Sequence, residues 1–187
     1  MDKQAFKENL KLDVLPDVLD KLIDFQNDVS GFEYYAQGFG LTIDDKLGLK
    51  SWSGESDFLN QLLPFAQANG SGSFYAIWNN EPTQPIDNIP IVVFGDEGGT
   101  HVVAENILQL LQLIAYDTEI SVDWSSAYFY KDEEDYNASE DLQKYIQWLK
   151  VNFNVSPLQD PTVAIQSAQD KYKASFDEWF KQYYSVE

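Results

Sequence analysis

The sequence predicts an α+β fold: a mostly antiparallel central sheet flanked by helices, with additional helices in the C-terminal part. Three observations lead there. Ser73 to Trp78 and Ile89 to Phe94 are short apolar runs with strand character, and His101 to Ala104 adds a third. The connections between them are short: residues 79–88 hold turn formers with Pro82 and Pro85, and Gly95-Asp96-Glu97-Gly98-Gly99 is a turn, so antiparallel pairing is favoured over crossovers. Stretches of helical period lie before and after these strands rather than between them.

Taken in order, the first strong helix signal opens at Asp13-Val14-Leu15-Pro16-Asp17, where Pro16 suits an early helical position. Leu15, Val18, Leu19, Leu22, Ile23 and Phe25 then recur near a 3.6 period, and Ser30-Gly31 ends the run. Residues 32–55 mix four glycines with aromatics and read as loops with a short strand or two. Ser56 is a candidate cap for a second helix from Asp57 to Ala68, with Leu59, Leu62, Leu63 and Phe65 inward and Pro64 as a kink. Asn69-Gly70-Ser71-Gly72 breaks the chain before the strands. A helix from Asn106 to Ala115 is apolar almost all round, so it belongs inside the protein. Trp124 to Tyr136 reads as irregular. Ser139 is a candidate cap for a helix carrying Leu142, Tyr145, Ile146 and Leu149. Asp160-Pro161 starts the last helix, where Val163, Ile165, Ala168, Tyr172, Phe176, Trp179 and Phe180 contribute to an apolar stripe.

The 187 residues fit one domain, and aromatics at 15% supply enough apolar surface for a core. The charge balance is lopsided: 31 acidic against 12 basic residues, a net charge of −19, every basic residue a lysine. Such a surface repels nucleic-acid phosphates and anionic lipids, and without arginine the best bidentate phosphate reader is missing. It steers a basic protein partner instead. Cysteine is absent, so disulfides and thiolate chemistry are impossible. No run approaches a membrane span, and Met1 to Glu8 lacks the apolar stretch of a signal peptide, so a cytoplasmic location is expected.

Catalytic patterns are weak. His101 is the sole histidine, and neither a Gly-x-Ser-x-Gly elbow nor a His-Glu-x-x-His pair is present. His101 beside Asp96 and Glu97 would give a mixed metal site, but a strand or turn histidine satisfied by a carboxylate or by solvent is the simpler reading. Asp44-Asp45, Asp96-Glu97 and Asp132-Glu133-Glu134-Asp135 lack calcium-loop spacing and read as solvated faces. Gly95 to Gly99 invites a phosphate loop, which its own carboxylates argue against. No catalytic residue, metal or cofactor is expected, although two carboxylates facing across a cleft would make a hydrolase. The segment from Trp124 to Tyr136 is more suggestive: Trp124, Tyr128 and Tyr130 beside Asp132, Glu133, Glu134 and Asp135 combine anchors with steering charge, as an interface with a basic protein requires. The alternative is that these rings cover a core edge, and Phe32, Tyr34, Tyr35 and Trp52 are open to the same two readings.

Several strings resemble the SUKH superfamily, which joins bacterial immunity proteins to a domain of a yeast cell-wall synthesis regulator. They are Leu15-Pro16-Asp17, Gly70 to Trp78, and Ile89 to Asn106 running into a leucine-rich helix; the family hallmark is similar, a strand ending in a Gly-acidic-Gly turn, then a short strand into Ala-x-Asn. The resemblance covers about residues 12–116, with an echo in Phe176-Asp177-Glu178-Trp179, and implies a single SUKH-like domain over 1–187 whose helical portion is 119–187. Two departures stand out: Asp28-Val29-Ser30-Gly31 replaces the family's Asn-Gly, and the C-terminal portion is long. The resemblance implies a non-enzymatic binding protein that neutralises a toxin, often a nuclease and therefore basic, by occlusion. A regulatory scaffold without a toxin partner is the alternative. Oligomeric state stays open.

Overall fold

The computed structural model describes residues 1–29, 35–81 and 83–184. Ser30, Gly31, Phe32, Tyr34 and Pro82, which the sequence reading used, lie outside them. In chain order the elements are α1 (Lys3–Asn9), α2 (Asp17–Asp28), β1 (Gly40–Leu41), α3 (Leu47–Lys50), α4 (Ser56–Gln61), β2 (Leu62–Gln67), β3 (Phe74–Trp78), a 3-10 turn (Ile86–Asn88), β4 (Ile91–Phe94) and β5 (Thr100–Ala104). There follow α5 (Ile107–Ile114), β6 (Ile120–Val122), β7 (Ala127–Phe129), α6 (Leu142–Phe153) and α7 (Pro161–Phe180). The expected α+β architecture is present: β1 to β5 form one antiparallel sheet in sequence order, and β6 with β7 forms a separate hairpin.

Both faces of the sheet are covered, which explains why its strands are almost continuously apolar. Along β3 and β4, alternate residues go to opposite sides. Tyr75, Ile77, Ile91 and Val93 join a core under α1, α2, α5 and α6. Ala76, Trp78, Val92 and Phe94 join a second core under α3, α4 and α7. The first core is largely aliphatic around a ring cluster of Phe25, Tyr35, Tyr145 and Trp148. The second is dominated by rings: Phe176, Trp179 and Phe180 of α7 pack on Trp78, Phe58 and Phe94 at centroid separations of 5.1 to 6.2 Å. α7 lies along β5, and its cap is as expected, with the Asp160 carboxylate accepting from the Thr162 N–H at 2.9 Å and Pro161 in the first turn. Val163, placed on the apolar stripe from sequence, is exposed.

Several local expectations need correction. The helix expected over 57–68 stops at Gln61, and Leu62 begins a strand. Leu62 faces the second core while Leu63 and Phe65 face the first, so a run that fits a helix is a strand buried on both sides. Pro64 sits at a bulge in the β2–β3 register and past the end of β1, where strands tolerate proline. Ser56 is the first helical residue, not the cap, and Ser139 spends its side chain on Asp117 while Asp141 precedes α6. Pro16 stands just before α2, with Leu15 outside the helix. The segment after Trp124 contains a strand, β7. Of the five sheet strands, three were read from sequence and β1 falls where a short strand or two was expected; β2 was not foreseen, nor was α1, capped by Asp2 on the Ala5 N–H.

Candidate functional site

The turn between β4 and β5 is a seat for the β6–β7 hairpin. Gly98 and Gly99 have φ of +107° and +84°, and the chain needs glycine there twice over. A Cβ on Gly98 would stand 2.3 Å from the Trp124 ring, and one on Gly99 would stand 2.1 Å from the Asp123 carbonyl oxygen. The hairpin turn thus rests directly on bare backbone. His101 clamps it from β5: its Nε2 donates to the Asp123 carbonyl oxygen at 2.7 Å, and since a carbonyl only accepts, Nε2 carries the hydrogen. The histidine is thus satisfied by a main-chain carbonyl, not by the carboxylate or solvent expected from sequence.

Asp123 builds the turn from within. Its Oδ1 accepts from the Ser125 and Ser126 N–H groups at 2.7 and 2.9 Å, and the two serine hydroxyls add bonds of 2.7 and 3.2 Å. Bonds from Ser125 first, then Ser126, hold its carboxyl down to about 2. On the other side of the seat, Asp96 Oδ1 accepts from the Ser73 and Ser71 hydroxyls at 2.6 and 3.0 Å, which lowers its pKa in the same way. Asn69 organises that loop, accepting at Oδ1 from the Ser73 and Gly72 N–H groups and donating from Nδ2 to Ser73 Oγ at 2.9 Å.

Trp124 stands on this platform 57% exposed, with clefts on both sides. One, of about 360 Å³, is lined by Trp52, Phe74, Asp96, Glu97, Trp124 and Tyr184 among others. The other, of about 500 Å³, runs past His101, Lys173, Asp177 and Phe180 and shares Trp52, Trp124 and Tyr184 with the first. Trp52 is itself braced by Phe94, Phe180 and Tyr184 at 5.1 to 6.0 Å.

The seven residues singled out from sequence are all exposed, but they occupy two places. Tyr128 in β7 and Tyr130 just past its end are 45% and 67% exposed, while Ala127 is buried. Trp124 lies at the turn before β7, whereas Asp132, Glu133, Glu134 and Asp135 form a turn of their own after it, closed by the Tyr136 N–H on the Asp132 carbonyl at 2.8 Å. The flanks of that acidic turn are fixed by Asp117, fully buried, which accepts from the Gln37 N–H, the Tyr136 hydroxyl, and the N–H and hydroxyl of Ser139 at 2.6 to 3.1 Å. Lys131 lies over the Tyr136 ring at 3.8 Å. Of the early aromatics, Tyr35 is core and Trp52 lines the cleft. Sequence reasoning missed the Trp52–Tyr184 wall and the role of the glycine pair; Gly98-Gly99 next to each other was the available signal.

Among the described residues, no three His, Asp or Glu side chains converge as an ion would need, and no helix is long and apolar enough to cross a membrane. A scan against protein-family models, a search of curated proteins and a search of solved structures each found no match.

Proposed function

We propose that this chain is a cytoplasmic, non-enzymatic binding module of SUKH type, an immunity-like protein that neutralises a basic toxin domain by covering it. The observation that carries the reading is the exposed ring set of the hairpin, Trp124, Tyr128 and Tyr130, flanked by carboxylates on a chain of net charge −19. Rings of this kind give contact area at low entropy cost, and the field brings a positively charged partner to them. A nuclease groove is basic because it grips phosphates, so an anionic surface competes for the same cations. Hydrolysis finds less support: Asp96, in the cleft, is pushed toward the ionised form, the wrong direction for a general acid.

The test is to co-express the chain with the product of the neighbouring gene. A complex that survives purification, and growth restored in cells making that product, are expected. Absence of both the complex and the protection would remove the toxin reading and leave the regulatory scaffold.

A further inference from the structure

The smaller cleft beside Trp124 has a chemistry distinct from the rest of the surface. Its walls are the rings of Trp52, Phe74, Tyr184 and Trp124, and two of its polar side chains are Asp96 and Glu97. No lysine lines it. Neither carboxylate is in an ion pair among the described residues, and both hydroxyl bonds to Asp96 fall on Oδ1. The Trp124 indole packs against Gly98 and has no aromatic partner among the described residues, whereas Trp52 is locked by three rings. At about 360 Å³ the cleft is at the low end of the roughly 300–1,000 Å³ typical of small-ligand sites, the scale of one side chain rather than a folded segment.

We infer that this cleft receives one arginine side chain of the partner, with the guanidinium against the Trp52 and Trp124 rings and its N–H groups donating to Asp96 and Glu97. A planar, weakly hydrated guanidinium stacks on aromatic faces and bonds carboxylates from its edge, which suits such walls better than a lysine ammonium does. Asp96 needs no proton displaced to take this role, since the Ser73 and Ser71 hydroxyls favour its charged form. The inference rests on the reading above only in taking the partner as a basic polypeptide. It centres the anchoring contact on Trp124 and the cleft beside it, and leaves steering to the acidic turn.

The test uses a short acetylated, amidated Gly-Arg-Gly peptide against its citrulline counterpart, which keeps the shape and loses the charge. Titrations at low salt are followed through the indole N–H resonances of Trp52 and Trp124. The arginine peptide should shift both, saturating in the millimolar range, and the citrulline peptide should bind at least about tenfold more weakly. Trp124→Ala should abolish the response. Glu97→Gln, at an exposed position, should weaken it several-fold with the fold intact, so a Trp124→Ala protein that misfolds does not rescue the idea. Equal responses to the two peptides, or no shift of either indole resonance, overturn the assignment. Because no toxin enters this experiment, it fails or succeeds independently of the co-expression test.

Discussion

At its turn the β6–β7 hairpin is held by the rest of the molecule; beyond β7 the acidic turn is free at its tip and fixed only at its flanks. Trp124 stands on Gly98 with Asp123 gripped by His101, whereas the carboxylates of residues 132–135 project from a turn whose anchors are Lys131, Tyr136 and Ser139. The difference separates two jobs. A ring ordered before the partner arrives costs little further entropy on binding, so it acts on how long a complex lasts. Carboxylates act through a field over about 8–10 Å at ordinary salt, where exact placement matters little, so they act on how often partners meet.

The largest way to break the comparison is to remove the seat. Gly99→Val forces a side chain into the Asp123 carbonyl at a positive φ and should cost about 3–4 kcal/mol in denaturant unfolding, with red-shifted tryptophan emission. A loss below 1 kcal/mol would mean that the hairpin floats. Next, Asp117→Ala strands the donors it now satisfies and should cost about 2–3 kcal/mol while leaving the Trp124 indole resonance in place. Movement of that resonance would show that the two ends are coupled.

Charge changes at the free end should be smaller still in stability. Replacing Asp132, Glu133, Glu134 and Asp135 by Asn or Gln should leave the unfolding midpoint nearly unchanged, yet slow association with a basic partner about tenfold at low salt and flatten its salt dependence. An unchanged on-rate sinks the steering role. Acid sharpens the contrast further. Asp123 and Asp96 both have folded-state values below the ordinary 3.8, so the stability they lend is present above that value and is lost as pH falls from about 4 toward 2. Trp124 should loosen across that window, as monitored by its indole resonance, before the buried cores unfold.

Much of the scaffold was legible in the sequence because its signals are local. β3 and β4 announced themselves by continuous apolar runs, α5 by leucines on every side, and α7 by Asp160-Pro161. Leu62 to Phe65 misled for a physical reason: a strand buried on both faces loses its alternation, and four apolar residues then fit either period. The hairpin was hidden because Tyr128 faces outward and its strands are only three residues long. The exposed rings and acidic turn were readable as residue types. Their separation was not, nor was the cleft, because Trp52, Asp96, Trp124 and Tyr184 come from four distant parts of the chain and meet only after the sheet and α7 have packed.

α7 also imposes an order on the birth of the molecule. A ribosome releases all five sheet strands before residues 161–180, and until then the stretch from α3 through α4 offers the second core little beyond Leu49, Trp52, Phe58 and Leu59. Trp78 and Phe94 therefore emerge on a bare, ring-rich plane that invites chaperones or a neighbouring nascent chain on the same message. Synthesis, more than the finished fold, is where this protein is most exposed to aggregation.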